Sequence, residues 1–149
     1  MILSTLCYIE KDNQWLMLHR TKKSIDPNGG KWIGVGGKLE ENETPDECII
    51  REVLEETGLQ LQNVQLKGIL TFILPKWENE LTFLYTATEF TGTLTNCSEG
   101  ELKWVAKNDV LDLNLWEGDK HFLPKLLNQE DFFTMKLIYD NNDNLIEIQ

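Results

Sequence analysis

The sequence is poor in basic residues, and this shortage limits the partners that the protein can have. Its 14 lysines and arginines are outnumbered by 25 aspartates and glutamates, which gives a formal net charge of -11 at pH 7. A chain with this charge repels the backbone of DNA and RNA, so no nucleic acid polymer is expected as a partner. A small phosphorylated ligand is still acceptable if a cation bridges its phosphates to the acidic chain.

Cysteine and histidine are also scarce. Cys7, Cys48 and Cys97 form an odd, widely spaced set, and His19 and His121 are not paired with each other at metal-ligand spacing. These residues argue against a disulfide framework and against a cysteine–histidine metal site. The pattern is typical of reduced thiols in a protein of the cytoplasm, which is the expected location.

Long apolar runs are missing, and none approaches the ~18–20 residues that a membrane span needs. The N-terminal segment is apolar only briefly and has no basic region before it, so we predict a first strand there rather than a signal peptide. No repeat or proline-rich linker interrupts the 149 residues. The sequence predicts a single domain over residues 1–149 without membrane contact, and it specifies no oligomeric state.

Short alternating or apolar segments indicate that strands dominate this domain. The fold class predicted from them is mixed α/β or α+β. The predicted strand regions are 2–9, 14–20, 32–39, 59–75, 80–90 and 101–107, with a terminal hairpin over 132–149 that turns at residues 140–143. Shorter helical segments are predicted at 109–113 and 119–129.

One long helix is marked at both of its ends. Thr44 is a good N-cap, Pro45 suits the first helical position, and Glu47 completes a capping box with Thr44. Gly58 is placed to end the helix. These signals predict a helix that begins after Thr44 and ends at Gly58.

This helix carries an unusual concentration of acidic residues. At ~100° per residue, Glu52, Glu55 and Glu56 fall within an arc of roughly 100°, and Arg51 is the only basic residue of the helix. The simplest interpretation is a solvated acidic surface. The preceding glycine-rich segment, residues 34–38, favours a close approach by another group, and clustered carboxylates suit Mg²⁺ bound to phosphates. The apolar positions predicted to pack on the opposite face are Ile49, Ile50, Val53 and Leu54.

The residues around this helix resemble the signature of a known family. Gly37, Glu43 and the run from Arg51 to Leu59 fit the pattern G-x5-E-x7-R-E-U-x-E-E-x-G-U, where U is a bulky aliphatic residue. This is the Nudix box. The resemblance implies an α/β/α sandwich with a mixed central sheet, and it implies hydrolysis of a nucleoside diphosphate linked to another moiety.

The resemblance also implies roles for individual residues. Glu52, Glu55 and Glu56 would coordinate Mg²⁺, with Mn²⁺ as a possible substitute, and one of them would orient or deprotonate the attacking water. Arg51 and Glu43 would position this acidic cluster. Further metal ligands implied are the backbone carbonyl of Gly36 and a downstream acid, Glu99, with Glu101 as its substitute.

Two stretches, residues 30–47 and 115–122, are similar to the branch of 8-oxo-dGTP diphosphatases, especially the bacterial ones. This branch sanitises the nucleotide pool, a task allied to DNA repair, by releasing a nucleoside monophosphate and pyrophosphate. The resemblance makes Lys22, Lys23 and Lys38 candidates for phosphate contacts, or plain surface charges. It makes Trp116 a stacking partner and Asp119 a reader of the base edge, or else a core tryptophan and a helix cap.

The chain departs from this branch at two positions. Ile33 stands where some purine-selective relatives have an asparagine, and Gly118-Asp119 replaces two adjacent aspartates. A nucleotide sugar, a dinucleoside polyphosphate or a capped RNA end is therefore an alternative substrate, and a catalytically silent nucleotide sensor is a further alternative. The other tryptophans are expected to be packing residues: Trp15, Trp32, Trp77 and Trp104.

Overall fold

The computed structural model describes residues 1–22 and 24–149, and strands dominate this part of the chain. The strands are β1 Ile2–Lys11, β2 Gln14–Arg20, β3 Trp32–Ile33, β4 Val35–Lys38, β5 Leu59–Gln62, β6 Gln65–Ile73, β7 Glu80–Ala87, β8 Glu89–Gly92, β9 Gly100–Ala106, β10 Phe133–Tyr139 and β11 Leu145–Ile148. The helices are α1 Pro45–Thr57 and α2 Asp119–Leu127. No helix of the described residues is long and apolar enough to cross a membrane.

The central sheet is mixed. Its strand order is β11-β10-β6-β7-β1-β2-β3, with β4 added to β1 and β9 added to β2. The pairs β1–β7 and β6–β10 are parallel, and the other pairs are antiparallel. The second edge of β1 is shared, because residues 4–7 pair with β4 and residues 10–11 pair with β2. The small pair β5–β8 stands apart from this sheet.

Each face of the sheet carries one helix. Alternate residues of β1 point to opposite faces, as the period of a strand requires. Cys7 and Ile9 join the core that contains Ile49 and Val53 of α1. Tyr8 joins the other core, together with residues 122, 123 and 126 of α2. The architecture is therefore an α/β/α sandwich with a mixed central sheet, as predicted.

Helix α1 has the predicted ends. The Thr44 hydroxyl accepts from the N–H of Glu47 at 3.1 Å, and the Glu47 carboxylate accepts from the N–H of Thr44 at 3.0 Å. Gly58 closes the helix in the left-handed region at φ 81°, where glycine has no steric penalty, and its N–H donates to the carbonyl of Leu54.

The terminal hairpin, β10 and β11, turns at residues 140–144 as predicted. Several details differ from the prediction, and the strand segments predicted at 59–75 and 80–90 are each divided into two strands, β5 with β6 and β7 with β8. Residues 107–112 form a 3-10 helix, and the extended segment after residue 31 is divided into β3 and β4. At the point of division, a Cβ on Gly34 would lie only 2.7 Å from the carbonyl oxygen of Cys7, so the close passage of β1 requires glycine there.

Candidate active site

A single cavity of about 540 Å³ connects the acidic helix α1 with the first turn of α2. Its walls include residues of β1, β2, β3, β4, β6, β7, α1 and α2 and of the loop between β2 and β3. The sheet brings these segments together, because β1 lies between β4, which leads into α1, and β7. One end of the cavity is lined by carboxylates and glycines, and the other is largely apolar and aromatic.

The three acidic residues of α1 do not share one environment. Glu52 and Glu56 are partly buried and line the cavity. Glu55 lies outside the cavity, 59% of its side chain is exposed, and it pairs with Arg51 at 3.2 Å. The predicted common acidic face is therefore divided. The prediction that Leu54 packs was wrong, since 45% of Leu54 is exposed.

The physical reason for this division lies in the position of α1 against the sheet. The buried positions of α1 include Cys48, Ile49, Val53 and Thr57. At ~100° per residue, Glu52 and Glu56 fall between the directions of Cys48 and Ile49, whereas Leu54 points away. These two carboxylates thus lie on the packed side of the helix, so a solvated acidic surface is not the correct description of them.

Of the acidic residues of α1, Glu56 has the ionised form that burial destabilises most. Burial raises the pKa of Glu56 to about 9, and both the charge of the nearby Glu99 carboxylate and a side-chain hydrogen bond with Glu99 add to the shift. Its Oε2 atom is buried without a hydrogen-bond partner among the described residues. Burial and the neighbouring Glu55 and Glu99 also raise the pKa of Glu52, against the opposing effect of Arg51. An uncompensated buried carboxylate favours either a proton or a cation at this point.

Arg51 holds the acidic residues in place. Its guanidinium binds both oxygens of Glu43, at 2.6 and 2.9 Å, and donates to Glu52 at 2.8 Å and to the carbonyl of Lys38 at 3.1 Å. This bidentate contact lowers the pKa of Glu43 to about 2. Arg51 does not line the cavity. Its contacts are those of a residue that positions the Glu52 carboxylate.

Two glycines of β4 are required for different reasons. A Cβ on Gly36 would lie 1.9 Å from the backbone oxygen of Thr5, so glycine at this position is explained by the pairing of β4 with β1 rather than by the approach of a metal. A Cβ on Gly37 would lie 2.4 Å from the carboxyl carbon of Glu52. Glycine at position 37 therefore leaves the space that the Glu52 carboxylate occupies.

We expect Gly37→Ala to lower kcat by about 10²-fold, because a displacement of Glu52 by about 1 Å is enough to disturb a reacting geometry. The melting temperature should change little, since the displaced atoms belong to a side chain. Gly36→Ala is the contrasting variant, and it should lower the melting temperature because its clash is with backbone. Equal kcat values for Gly37→Ala and the wild-type protein would show that the position of Glu52 is unimportant.

The downstream acid that reaches the cavity is Glu99. It lines the cavity and pairs with Arg20 at 2.8 Å, and Arg20 in turn pairs with Asp26 at 2.9 Å. Glu101 is exposed on β9 and lies outside the cavity. The sequence did not indicate Arg20, because only the pairing of β2 with β9 places it beside Glu99.

The aromatic end of the cavity includes Trp116. Its indole N–H donates to the side chain of Asn28 at 2.8 Å, its ring meets Tyr139 edge-on, and the ammonium of Lys31 lies 5.2 Å from its ring centre. Only 8% of Trp116 is exposed, so it is both a core residue and part of the cavity wall. Ile33 lines the same wall. Phe72, Leu74 and Trp77 also line the cavity, and of these the sequence indicates only Trp77, as a packing residue.

Asp119 lines the cavity at the start of α2 and is 96% buried, with 4% of its surface exposed. Burial raises the pKa of Asp119 to about 8, although Lys31 opposes the shift. The alternative interpretation of this residue as a helix cap was wrong. Residue 118 occupies the N-cap position, and no side-chain hydrogen bond caps the helix.

The candidate phosphate-binding lysines are placed differently. Lys38 is exposed and lines the cavity beside the two glycines. Lys22 donates to the carbonyl of Cys97 at 2.9 Å and is not part of the cavity lining. Lys23 lies outside the described residues.

This arrangement of an α/β/α sandwich and an acidic helix agrees with the comparison against protein families. A NUDIX domain matches residues 2–126, and the chain belongs to the Nudix hydrolase family. It is 35% identical over 124 residues to the uncharacterized Nudix hydrolase YvcI of Bacillus subtilis strain 168, over 80% of this chain and 75% of that protein. It is also 31% identical over 104 residues to the oxidized purine nucleoside triphosphate hydrolase of Mus musculus, over 69% and 67% of the two chains.

The solved structures include one similar over the whole chain. The crystal structure of a mutator MutT protein from Bacillus halodurans matches with a TM-score of 0.89 and 29% sequence identity, and it covers 100% of this chain and 97% of that one. Nudix hydrolases act on small nucleotides and generally use divalent metal ions.

The residues of the cavity fit such an ion. Their donors are carboxylate oxygens, which hard divalent cations prefer, and the buried Oε2 of Glu56 has no other partner among the described residues. No group of three acidic, histidine or cysteine side chains in residues 1–22 and 24–149 is already arranged to hold a metal ion. The fit of a divalent cation therefore rests on the carboxylate chemistry of the donors and on the Oε2 atom of Glu56.

Proposed function

We propose that this protein hydrolyses 8-oxo-dGTP or a related purine deoxynucleoside triphosphate to the monophosphate and pyrophosphate, with Mg²⁺ or Mn²⁺, and thereby sanitises the nucleotide pool of the cytoplasm. The observation that supports this most strongly is the single cavity that joins the carboxylates of α1 to the aromatic end with Asp119. A nucleoside triphosphate has two matching parts, because its polyphosphate is charged and its base is flat and largely apolar. The similarity to an oxidized purine nucleoside triphosphate hydrolase points the same way.

In this proposal, the metal-holding groups are Glu52, Glu56, Glu99 and the carbonyl of Gly36, with Glu55 reaching in from the exposed side of α1. A divalent cation bound there would neutralise the phosphates, lower the pKa of water and stabilise the leaving pyrophosphate. The chain's own residues do the rest. Arg51 keeps Glu52 oriented, and one of the glutamates of α1 takes the proton of the attacking water.

The polyphosphate would meet Lys38, which lines the cavity, whereas Lys22 does not. The base would enter the aromatic end beside Trp116. Asp119 would read its edge, and with a pKa raised to about 8 this carboxyl group holds its proton at neutral pH. A protonated carboxyl both donates and accepts a hydrogen bond, which suits a purine edge that presents a carbonyl oxygen beside an N–H.

We expect Asp119→Ala to lower kcat/KM for 8-oxo-dGTP and dGTP about 10- to 100-fold more than for dCTP, because a buried hydrogen-bonding partner of the purine is lost. The comparison of the three substrates in both proteins measures this. Trp116→Ala is the companion variant, and it should weaken the binding of all bases. An equal loss for all three substrates with Asp119→Ala would place the base elsewhere.

Asp119 should also make stability depend on pH. The pKa of Asp119 is raised in the folded protein relative to about 3.9 in the unfolded chain. The folded state therefore retains a proton that the unfolded state loses, so the contribution of Asp119 to the free energy of unfolding is greatest below about pH 4 and is lost as the pH rises to about 8. Residues that face Asp119 are Tyr8 of β1, Tyr139 of β10 and Lys31.

We expect Asp119→Asn to remove this part of the pH dependence. The melting temperature of the variant relative to wild type should increase by roughly 3 °C or more between pH 5 and pH 8.5, which corresponds to about 1 kcal/mol in a domain of this size. Melting curves of both proteins over this range provide the test. A constant difference would mean that Asp119 is ionised throughout.

The reaction itself is tested by its products. After incubation of 8-oxo-dGTP with the protein and Mg²⁺, phosphorus NMR should show 8-oxo-dGMP and pyrophosphate in equal amounts. Detection of inorganic phosphate with the nucleoside diphosphate, or of unchanged substrate, would overturn the proposal. The substrate would then be sought among other nucleoside diphosphate derivatives.

A further inference from the structure

A cluster of polar side chains from β1 and β7 lies in the cavity wall. Ser4 of β1 donates to Oε2 of Glu80 at 2.5 Å, and Thr82 of β7 donates to the same oxygen at 3.4 Å. The two hydroxyl oxygens are 3.0 Å apart. Ser4 and Thr82 are 4% and 3% exposed, and all three residues line the cavity. Both bonds engage Oε2, so Oε1 of Glu80 has no hydrogen-bond partner among the described residues.

The sheet separates this cluster from Asp119 along β1. Ser4 and Thr82 are direct neighbours in the parallel pairing of β1 with β7, and Glu80 lies opposite Ile2. Asp119 interacts instead with Tyr8. Tyr8 lies on the same face of β1 as Ser4 and four residues further along, which is ~13 Å at the rise of a strand. A two-ring base fits within a distance of this size.

Glu80 therefore lines the cavity as a held acceptor whose Oε1 is available to a ligand. A carboxylate has no hydrogen to donate once ionised, and the two hydroxyl groups hold it in one orientation. Among the described residues, the other acidic side chains that line the cavity are Asp26, Glu52, Glu56, Glu78, Glu99 and Asp119. A base that presents an N–H to Glu80 gains a charge-assisted hydrogen bond, whereas a base that presents a lone pair is repelled.

We propose that Glu80, held by Ser4 and Thr82, selects 8-oxopurines by accepting a hydrogen bond from N7–H of the base. Oxidation at C8 converts N7 from an acceptor into a donor, so the oxidised and the unmodified purine differ at the atom that this carboxylate would contact. Asp119 would read the other edge, which the two bases share. This inference rests on the proposed function and names the residue that determines its substrate.

The test measures binding of the monophosphates, because binding is independent of the hydrolysis step. Calorimetric titration of 8-oxo-dGMP and dGMP into the wild-type protein should show a dissociation constant about 10- to 100-fold lower for 8-oxo-dGMP. This ratio corresponds to the free energy of one hydrogen bond to a charged group. In Glu80→Gln, the amide can donate to the lone pair on N7 of guanine, and the preference should fall at least tenfold. Glu78→Gln is the matched control, because the Glu78 side chain is 61% exposed on the rim, and it should keep the wild-type preference.

The outcomes separate this inference from the proposed function. If Glu80→Gln melts like the wild-type protein and keeps its preference, or weakens both ligands equally, Glu80 does not read N7, although hydrolysis of 8-oxo-dGTP by the wild-type protein still supports the function. If the wild-type protein neither prefers 8-oxo-dGMP nor hydrolyses 8-oxo-dGTP, both proposals are overturned.

Discussion

Replacing Glu56 with glutamine should lower kcat for 8-oxo-dGTP by at least about 10²-fold, the cost of removing one preorganised electrostatic contact from a reacting centre. The amide keeps the shape of the side chain but removes the charge that would bind a cation. Among the described residues, Glu56 is the acid of α1 whose Oε2 atom is buried without a hydrogen-bond partner, and its pKa is raised to about 9, so we expect it to depend on a cation for compensation. The metal-free variant should also melt higher than the metal-free wild type, because a buried carboxylate next to Glu99 is lost.

Two further variants make the result specific. Glu55→Gln should lower kcat less than Glu56→Gln, because Glu55 is largely exposed and lies outside the cavity. Glu101→Gln should leave kcat unchanged, since this residue is exposed on β9. Near wild-type kcat in Glu56→Gln, with an unchanged melting temperature, would show that the carboxylate takes no part in the reaction.

Removing divalent metal should abolish turnover. The protein carries a formal charge of -11, and Glu52, Glu56 and Glu99 line the cavity at which the polyphosphate would arrive. Without a bridging cation these groups repel the substrate, and no water is activated. We expect kcat in excess EDTA to fall below detection, and Mg²⁺ or Mn²⁺ to restore it.

The binding of the cation can be measured separately from activity. Mn²⁺ added to the metal-free protein should raise its melting temperature, because a ligand that binds only the folded state stabilises it. This increase should be smaller in Glu56→Gln. Full turnover in excess EDTA would contradict the assignment of the acidic helix as a cation site.

The features that could be predicted from the sequence depend on residues close together in the chain. The ends of α1 are set by Thr44, Glu47 and Gly58 through local hydrogen bonds and one left-handed residue. The clamp of Arg51 on Glu43 spans only eight residues, and both residues belong to the recognised motif. For such features the sequence pattern and the fold carry the same information.

The rest depends on strands that are distant in the sequence. The carboxylates of α1 could be assigned to one helix, but their division between cavity and solvent depends on how α1 lies against β1, β4 and β5. The cluster of Ser4 with Glu80 joins residues 76 positions apart, and it forms only because β1 and β7 pair in parallel. Periodicity on a helix wheel also placed Leu54 among the packed residues, since it does not reveal where the neighbouring sheet ends.

The measurement that tests the central claim most directly is kcat/KM with Mg²⁺ for a panel of 8-oxo-dGTP, dGTP, dCTP, ADP-ribose and a diadenosine polyphosphate. The combination of an acidic cavity end, an aromatic chamber, Asp119 and Glu80 predicts that 8-oxo-dGTP has the highest value, with dGTP next among the triphosphates and dCTP well below both. A higher kcat/KM for ADP-ribose or the diadenosine polyphosphate than for every triphosphate would contradict the account.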